Sequence, residues 1–264
     1  MMRTILLTTA LGMAAASQAQ TLYAVAADKG LYSIDVGTAA ATKMATLDEE
    51  VFGLAVWPDD GSSDQGSVFV TNSKSELLRV EDLVTGRLSD VLYTLSSVRT
   101  DDLDFGKDPD EGAGLLAATD EDEAGFVFTS LARGPIKTTR PPVGRPKAFA
   151  MAGDDFWTLG SQVGAQKVTK SGYTGGATEL GALQGTKADI EGMAYDGSKF
   201  YGLDGLGNLY SLDLDNQKAT LIGDTKVRGW YDASFGSPVP EPSALVAFGA
   251  LAWIARRRNR SRQA

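Results

Sequence analysis

Cysteine and histidine are both missing from the 264 residues. Without cysteine there are no disulfides, so core packing and sheet ladders alone must hold the fold. Without histidine the chain cannot perform Ser-His-Asp or Cys-His catalysis, ligate zinc through imidazole, or belong to the H-E-x-x-H hydrolases. Helical periodicity is also scarce: no long amphipathic pattern interrupts the body of the chain. No lysine follows a glycine-rich loop at phosphate-binding spacing. Gly202, Gly205 and Gly207 fall in strand joints rather than ahead of a helix, which excludes a nucleotide loop on context.

Positive charge is in short supply as well. The formal net charge is −9. Setting aside Arg3, the five arginines beyond residue 255 and Glu241 leaves 19 basic against 33 acidic residues, a body near −14. Nucleic acid would be repelled by such a surface. Solubility is the plain reading of this acidity, and it also suits a medium rich in divalent cations.

Three regions are present. Residues 1–19 carry Arg3, an apolar stretch from Ile5 to Ala16 and a small-x-small end at Ser17-Gln18-Ala19, the pattern of a secretory signal peptide cleaved after Ala19. Residues 20–236 form one large domain. Residues 237–264 are different in kind.

The body repeats. Residues 190–223 divide into IEGMAYD, KFYGLD, NLYSLDL and KATLIG, short alternating or β-branched runs joined by Asp196-Gly197, Gly205–Gly207 and Asp215-Asn216. Four such strands make a propeller blade. Comparable cycles begin at residues 51, 100, 146 and 190, with DVLYTL (90–95) as the fourth strand of the first. After the leader, LYAVAAD, LYSIDVG and TKMATL match second, third and fourth strands, while residues 228–236 match a lone first strand. The expected fold is therefore all-β: a five-bladed β-propeller closed by pairing of the N- and C-terminal strands, flanked by a signal peptide and a short C-terminal hydrophobic helix. A β-sandwich is the alternative, but it does not predict this permutation of the repeat.

First strands of a propeller line its axis, and the loops at its mouths carry function. The acids in that zone are Glu49, Glu50, Asp101, Asp102, Asp104, Asp189, Glu191 and Asp232; the bases are Arg99, Lys147, Lys187 and Arg228. Converging carboxylates need these bases or Ca²⁺ as partners, which makes Asp102, Asp189, Glu191 and Asp232 the candidate calcium ligands. The plainer reading has strand-end acids facing water or bridging blades. The same four residues are the candidates for a carboxylate-pair glycosidase or lyase, which requires no histidine. Asp104–Gly112 and Asp120–Glu123 read as turns, because their spacing departs from the calcium-loop pattern. So does Asp213–Asn216. Trp57, Trp157 and Trp230 read as core, with sugar stacking as the lesser alternative.

The tail begins with Pro238, Pro240 and Pro242, which bar it from helix or sheet interiors. An uncharged run, residues 243–255, follows, and then Arg256, Arg257, Arg258, Arg260 and Arg262. Val239-Pro240-Glu241-Pro242-Ser243, a short hydrophobic helix and an arginine block in that order resemble the PEP-CTERM sorting signal of Gram-negative bacteria. The resemblance covers about the last tenth of the chain. It implies a membrane-embedded intermediate with a transmembrane helix held by the basic stop, signal peptidase and exosortase as processing partners, and delivery to the cell surface or extracellular polysaccharide of a biofilm. The expected function is a sorted binding or structural module associated with polysaccharide. A carboxylate-dependent hydrolase or lyase and a protein–protein scaffold are the alternatives. No cofactor is required beyond the calcium considered above.

Overall fold

The computed structural model describes residues 21–57, 66–95, 100, 102–107, 114–120, 125–130, 134–139, 146–153, 155–162, 165–172 and 176–236. The first strands are β1 (Thr21–Ala26), β2 (Gly30–Asp35) and β3 (Ala40–Thr46). Next come β4 (Val51–Val56), β5 (Val68–Asn72), β6 (Glu76–Asp82), β7 (Arg87–Leu88) and β8 (Tyr93–Thr94). The third group is β9 (Leu103–Lys107), β10 (Gly114–Asp120), β11 (Gly125–Ser130) and β12 (Gly134–Thr139). The fourth is β13 (Pro146–Ala152), β14 (Asp155–Gln162), β15 (Ala165–Gly172) and β16 (Ala177–Ala182). The last strands are β17 (Ile190–Tyr195), β18 (Phe200–Asp204), β19 (Asn208–Asp213), β20 (Lys218–Asp224) and β21 (Trp230–Gly236).

Local chemistry repeats from sheet to sheet. Between third and fourth strands, Asp35, Asp82 and Asp213 turn their carboxylates onto following backbone N–H groups, at Gly37 (2.8 Å), Val84 (2.8 Å) and Asn216 (3.2 Å). These Asx turns place Ala39, Gly86 and Gln217 at φ of 60°, 77° and 50°. Between second and third strands, the Asn72 Oδ1 accepts from Lys74 N and Glu76 N, and Asp204 Oδ1 accepts from Asn208 N. Ser75, Gly207 and Lys29 hold the corresponding left-handed position.

Four sheets have four strands in the orders β21-β1-β2-β3, β12-β11-β10-β9, β13-β14-β15-β16 and β17-β18-β19-β20. The remaining sheet is β4-β5-β6-β7 with β8 also on β6. The expected closed five-bladed propeller is thus corrected: the arrangement is propeller-like with four regular blades, joined by one irregular five-stranded sheet. No sheet closes on itself, and no helix occurs among the described residues. Ser89 accounts for the irregularity. Its hydroxyl, rather than a backbone carbonyl, accepts the Arg79 N–H at 3.0 Å and donates to Asp90 O at 2.7 Å. A side chain has replaced a ladder partner, so the outer strand breaks into β7 and β8.

The transmembrane and membrane expectation is corrected too: among the described residues no helix is long and apolar enough to cross a membrane. The uncharged run over 243–255 also falls short of the roughly 20 residues that a helical span requires. That run, the leader with its Ala19 cleavage site, the Val239–Ser243 motif and Arg256–Arg262 lie outside the described residues, as do Arg99 and Asp101.

The first and last described strands lie side by side. β21 pairs antiparallel with β1, Leu22 opposite Phe235 and Ala24 opposite Ala233. Core clusters fill the gaps between neighbouring sheets. Trp230 is buried and meets Tyr32 edge-on, centroids 5.2 Å apart at 82°. Its indole N–H donates to Thr225 Oγ1 at 3.2 Å, so the buried ring leaves no polar atom stranded. Each first strand abuts the next: β4 on β9, β9 on β13, β13 on β17, β17 on β21 and β21 on β4.

Candidate functional site

The seams between first strands place the sequence-predicted carboxylates. On β21, Asp232 and Ser234 point at β4, accepting from Leu54 N at 2.6 Å and Val56 N at 3.1 Å. Asp102 and Asp104 do the same for β13, accepting from Phe149 N at 2.5 Å and Met151 N at 2.7 Å. The i, i+2 spacing on both partners shows that these strands run in the same direction, with side chains standing in for a ladder. Asp232 also accepts from Leu103 N (3.0 Å) and Ala233 N (2.6 Å).

Asp102 and Asp232 are 1% and 0% exposed and hydrogen-bond to each other. Burial is the main force pushing both well above the ordinary carboxylate range; the charge and contact of Asp102 add to it for Asp232, whereas for Asp102 the Asp104 charge adds to it and the Asp232 hydrogen bond and backbone donors pull against it. Two carboxyls in such contact require a proton between them. Asp104 is half-buried, and desolvation raises it to about 7 despite the Met151 and Phe105 N–H groups. Glycoside hydrolysis needs carboxyls about 5–9.5 Å apart with a sugar between them. Asp102 and Asp232 touch, lie out of solvent and spend their oxygens on backbone donors.

Glu191 and Asp189 are not drawn into that pair. Glu191 reaches Lys147 Nζ across the β13–β17 seam at 3.8 Å, with both side chains partly exposed. Among the described residues no group of three or more acidic ligands is placed to hold a metal ion. The three tryptophans read as core are buried, at 8%, 5% and 1% exposure for Trp57, Trp157 and Trp230. Asp213–Asn216 is a turn, as expected.

Another set of residues emerges at the start of the first strands. Register shifts lie between Val51 and Gly53, between Pro146 and Ala148, and between Ile190 and Gly192; a further shift in the β1–β21 pair skips Tyr231. Each is a β-bulge whose extra residue is Phe52, Lys147, Glu191 or Tyr231. Bulges re-aim a side chain out of the ladder. Because the first strands run in the same direction, these four residues gather at one end of the ring. The Phe52 and Tyr231 rings lie 4.8 Å apart at 44°, and the Tyr231 hydroxyl donates to Glu50 Oε1 at 2.8 Å. Lys147 and Glu191 form the ion pair already described. At three of the four bulges the surrounding positions are alike: Val51, Pro146 and Ile190 come before the bulge, and Gly53, Ala148 and Gly192 follow it, whereas Tyr231 lies between Trp230 and Asp232. Packing has selected alike at those positions, while the bulged position carries two aromatics, a base and an acid.

Sequence reasoning named Lys147 and Glu191 but missed Phe52 and Tyr231 as site residues. The available signal was a large or charged side chain immediately before a small residue or Asp232, at the same place in each cycle.

No family model matches the chain, and no curated protein matches it. Solved structures do. A chain in the crystal structure of a nidogen/laminin complex superposes with a TM-score of 0.53 at 14% identity, over 82% of this chain and 98% of that one. A catalytically inactive virginiamycin B lyase from Staphylococcus aureus bound to quinupristin gives 0.46 at 13%, over 77% and 69%. The U3-55K structure gives 0.47 at 14%, over 75% and 59%. At these identities the first likeness speaks to fold, and the other two carry no weight here.

Proposed function

We propose that the chain is an exported, propeller-like scaffold that binds a protein partner at the ring end marked by Phe52, Lys147, Glu191 and Tyr231. The observation that carries this reading is the contrast at the bulges: equivalent positions, unlike chemistry. A residue set kept only for packing would repeat from sheet to sheet, as its neighbours do. Half-buried Tyr231, backed by the buried Phe52, and a partly exposed ion pair at the same end of the ring offer apolar contact, donors and acceptors together, the mixture found in protein recognition surfaces. The chain of comparable fold in the nidogen/laminin structure comes from an assembly of proteins, the same kind of work proposed here.

The scaffold acts by binding rather than turnover, since Asp102 and Asp232 are committed to the seams. The leader and the Val239–Ser243 tail support export, with signal peptidase cutting after Ala19 and exosortase acting at the Pro-Glu-Pro motif. The destination is then the cell surface or the polysaccharide matrix. Mass spectrometry of the mature protein from its host checks this: the chain should end near Glu241, and an intact arginine-rich end would contradict the sorting.

Site-specific photo-crosslinkers at Tyr231 and Lys147 test the binding face against one at the outer-strand position Leu221. The expected result is one crosslinked protein from the first two positions and none from the third. That product should disappear in the Lys147→Glu, Phe52→Ala double variant while circular dichroism stays unchanged. Breakdown of polysaccharides by purified protein, without a crosslinked partner, would replace the scaffold with a hydrolase or lyase.

A further inference from the structure

The Asp102–Asp232 contact does more than fill the centre of the ring. Asp232 sits on the last strand and accepts backbone N–H groups from β4, β9 and β21 itself, at 2.6, 3.0 and 2.6 Å for Leu54, Leu103 and Ala233. Asp102 accepts from Phe149 N of β13 at 2.5 Å and from Leu103 N at 2.9 Å. Leu103 N is thus shared by both carboxyls. Two side chains, 130 positions apart in sequence numbering, tie four first strands together.

Among the described residues no cation is placed against this pair. The nearby acid on β9 is Asp104, whose charge opposes ionisation of Asp102. β4 contributes no titratable residue between Val51 and Val56. Lys147 at the start of β13 is directed to Glu191 of β17, and Tyr231 of β21 donates to Glu50. On the far side, the backbone of Asp232 is pressed against Gly192, where an added Cβ would lie 2.8 Å from Asp232 C and Cα. The Asp232 backbone is therefore held close against β17 while β21 stays in place.

We propose that the Asp102–Asp232 pair is a proton-operated clasp that holds β21 in the ring. With one proton between them, the carboxyls attract. When that proton passes to water or hydroxide, two negative charges face each other in a dry site with no counter-ion among the described residues. The relief open to the structure is for β21 to leave, taking Asp232 into solvent. Release uncovers the paired edge of β1. Proton loss to an alkaline medium thereby loosens one strand ahead of the other sheets.

Hydrogen exchange on the full-length protein, compared at matched intrinsic rates from neutral to alkaline pH, tests this. Amides of the β1–β21 ladder, such as Ala24 and Ala233, should lose protection by at least tenfold before those of β18 and β19. Asp102→Asn is the informative variant. Its amide donates to the Asp232 carboxylate without a shared proton, its oxygen still accepts from Phe149 N, and Leu103 N keeps Asp232. It should abolish the early loss in β21. Simultaneous loss in all sheets, or an unchanged step in Asp102→Asn, overturns the clasp. Should that variant not fold, infrared spectroscopy of the unsubstituted protein decides: a neutral carboxylic acid band present at neutral pH must vanish together with β21 protection, and its absence from the folded protein at neutral pH refutes the proposal. Crosslinking at Tyr231 and Lys147 is read separately, so the binding reading and the clasp stand or fall independently.

Discussion

The two halves of the ring are joined by different chemistry. From β21 through β4 and β9 to β13, the seams are carboxylate and hydroxyl oxygens set on backbone N–H groups. From β13 through β17 to β21 they are the partly exposed Lys147–Glu191 ion pair, a close approach at Gly192 and one amide as a bracket: Gln166 Nε2 donates to Ile190 O at 2.8 Å, and its Oε1 accepts from Ile190 N at 2.6 Å. Gly192 lies against the Asp232 backbone. The lesson is that a first strand facing its neighbour can be satisfied either by reaching across with a polar side chain or by removing the side chain altogether. The first choice makes the joint sensitive to protons; the second makes it sensitive to volume.

Breaking the polar half should cost most. Asp232→Ala strands the buried Leu54 N–H, leaves Leu103 N to Asp102 alone and deprives the buried Asp102 of its partner. At about 1–3 kcal/mol for each unsatisfied buried group, a loss of about 3–5 kcal/mol is expected in denaturant titration. Gly192→Ala attacks the close-packed half. The added carbon has only backbone to push against, so about 2–3 kcal/mol is expected from overpacking, with no change in the pH profile. Gln166→Leu keeps the volume but leaves the Ile190 N–H and C=O unpaired, at about 2 kcal/mol.

Acid and base separate the halves further. Asp104 is held higher in the folded chain than its ordinary 3.8, at about 7. The folded state therefore binds the proton more tightly than the unfolded one, and stability is fully present below 3.8 and falls as pH rises through about 7. Thermal midpoints should decline across that window, and Asp104→Asn should flatten the decline. Gly192→Ala should leave it intact. The smallest effect belongs to neither half. Lys29 is exposed at φ 59°, and Lys29→Gly should add about 0.5–1 kcal/mol by relieving the left-handed strain. It serves as a control that leaves both kinds of seam untouched.

Much of the local structure was legible in the sequence. Runs such as KFYGLD and NLYSLDL fall on β18 and β19, and the Asp-led turns at Asp35, Asp82 and Asp213 declare themselves because their chemistry is complete within four residues. The irregular sheet was not legible. DVLYTL alternates well enough for a full outer strand, and nothing in it shows that the Ser89 hydroxyl will capture the Arg79 N–H. The seams were hidden for a related reason. Asp232 and Leu54 are separated by 178 residues, so the donor for that carboxylate has no local signature. Hence Asp102 and Asp232 could be read as ligands or catalysts, although their buried setting commits them to backbone. The bulges at Phe52, Lys147, Glu191 and Tyr231 were invisible to a period-two reading, which cannot tell a shifted residue from a paired one.

Because β21 is the last strand of the described chain and pairs with β1, assembly has an enforced order. While the chain emerges, Thr21–Ala26 must wait with one flank bare until some two hundred later residues have appeared. During that interval the nascent protein offers a sticky border to any extended peptide nearby. A holding chaperone that masks this border would be more useful to the molecule than one that accelerates its individual hairpins.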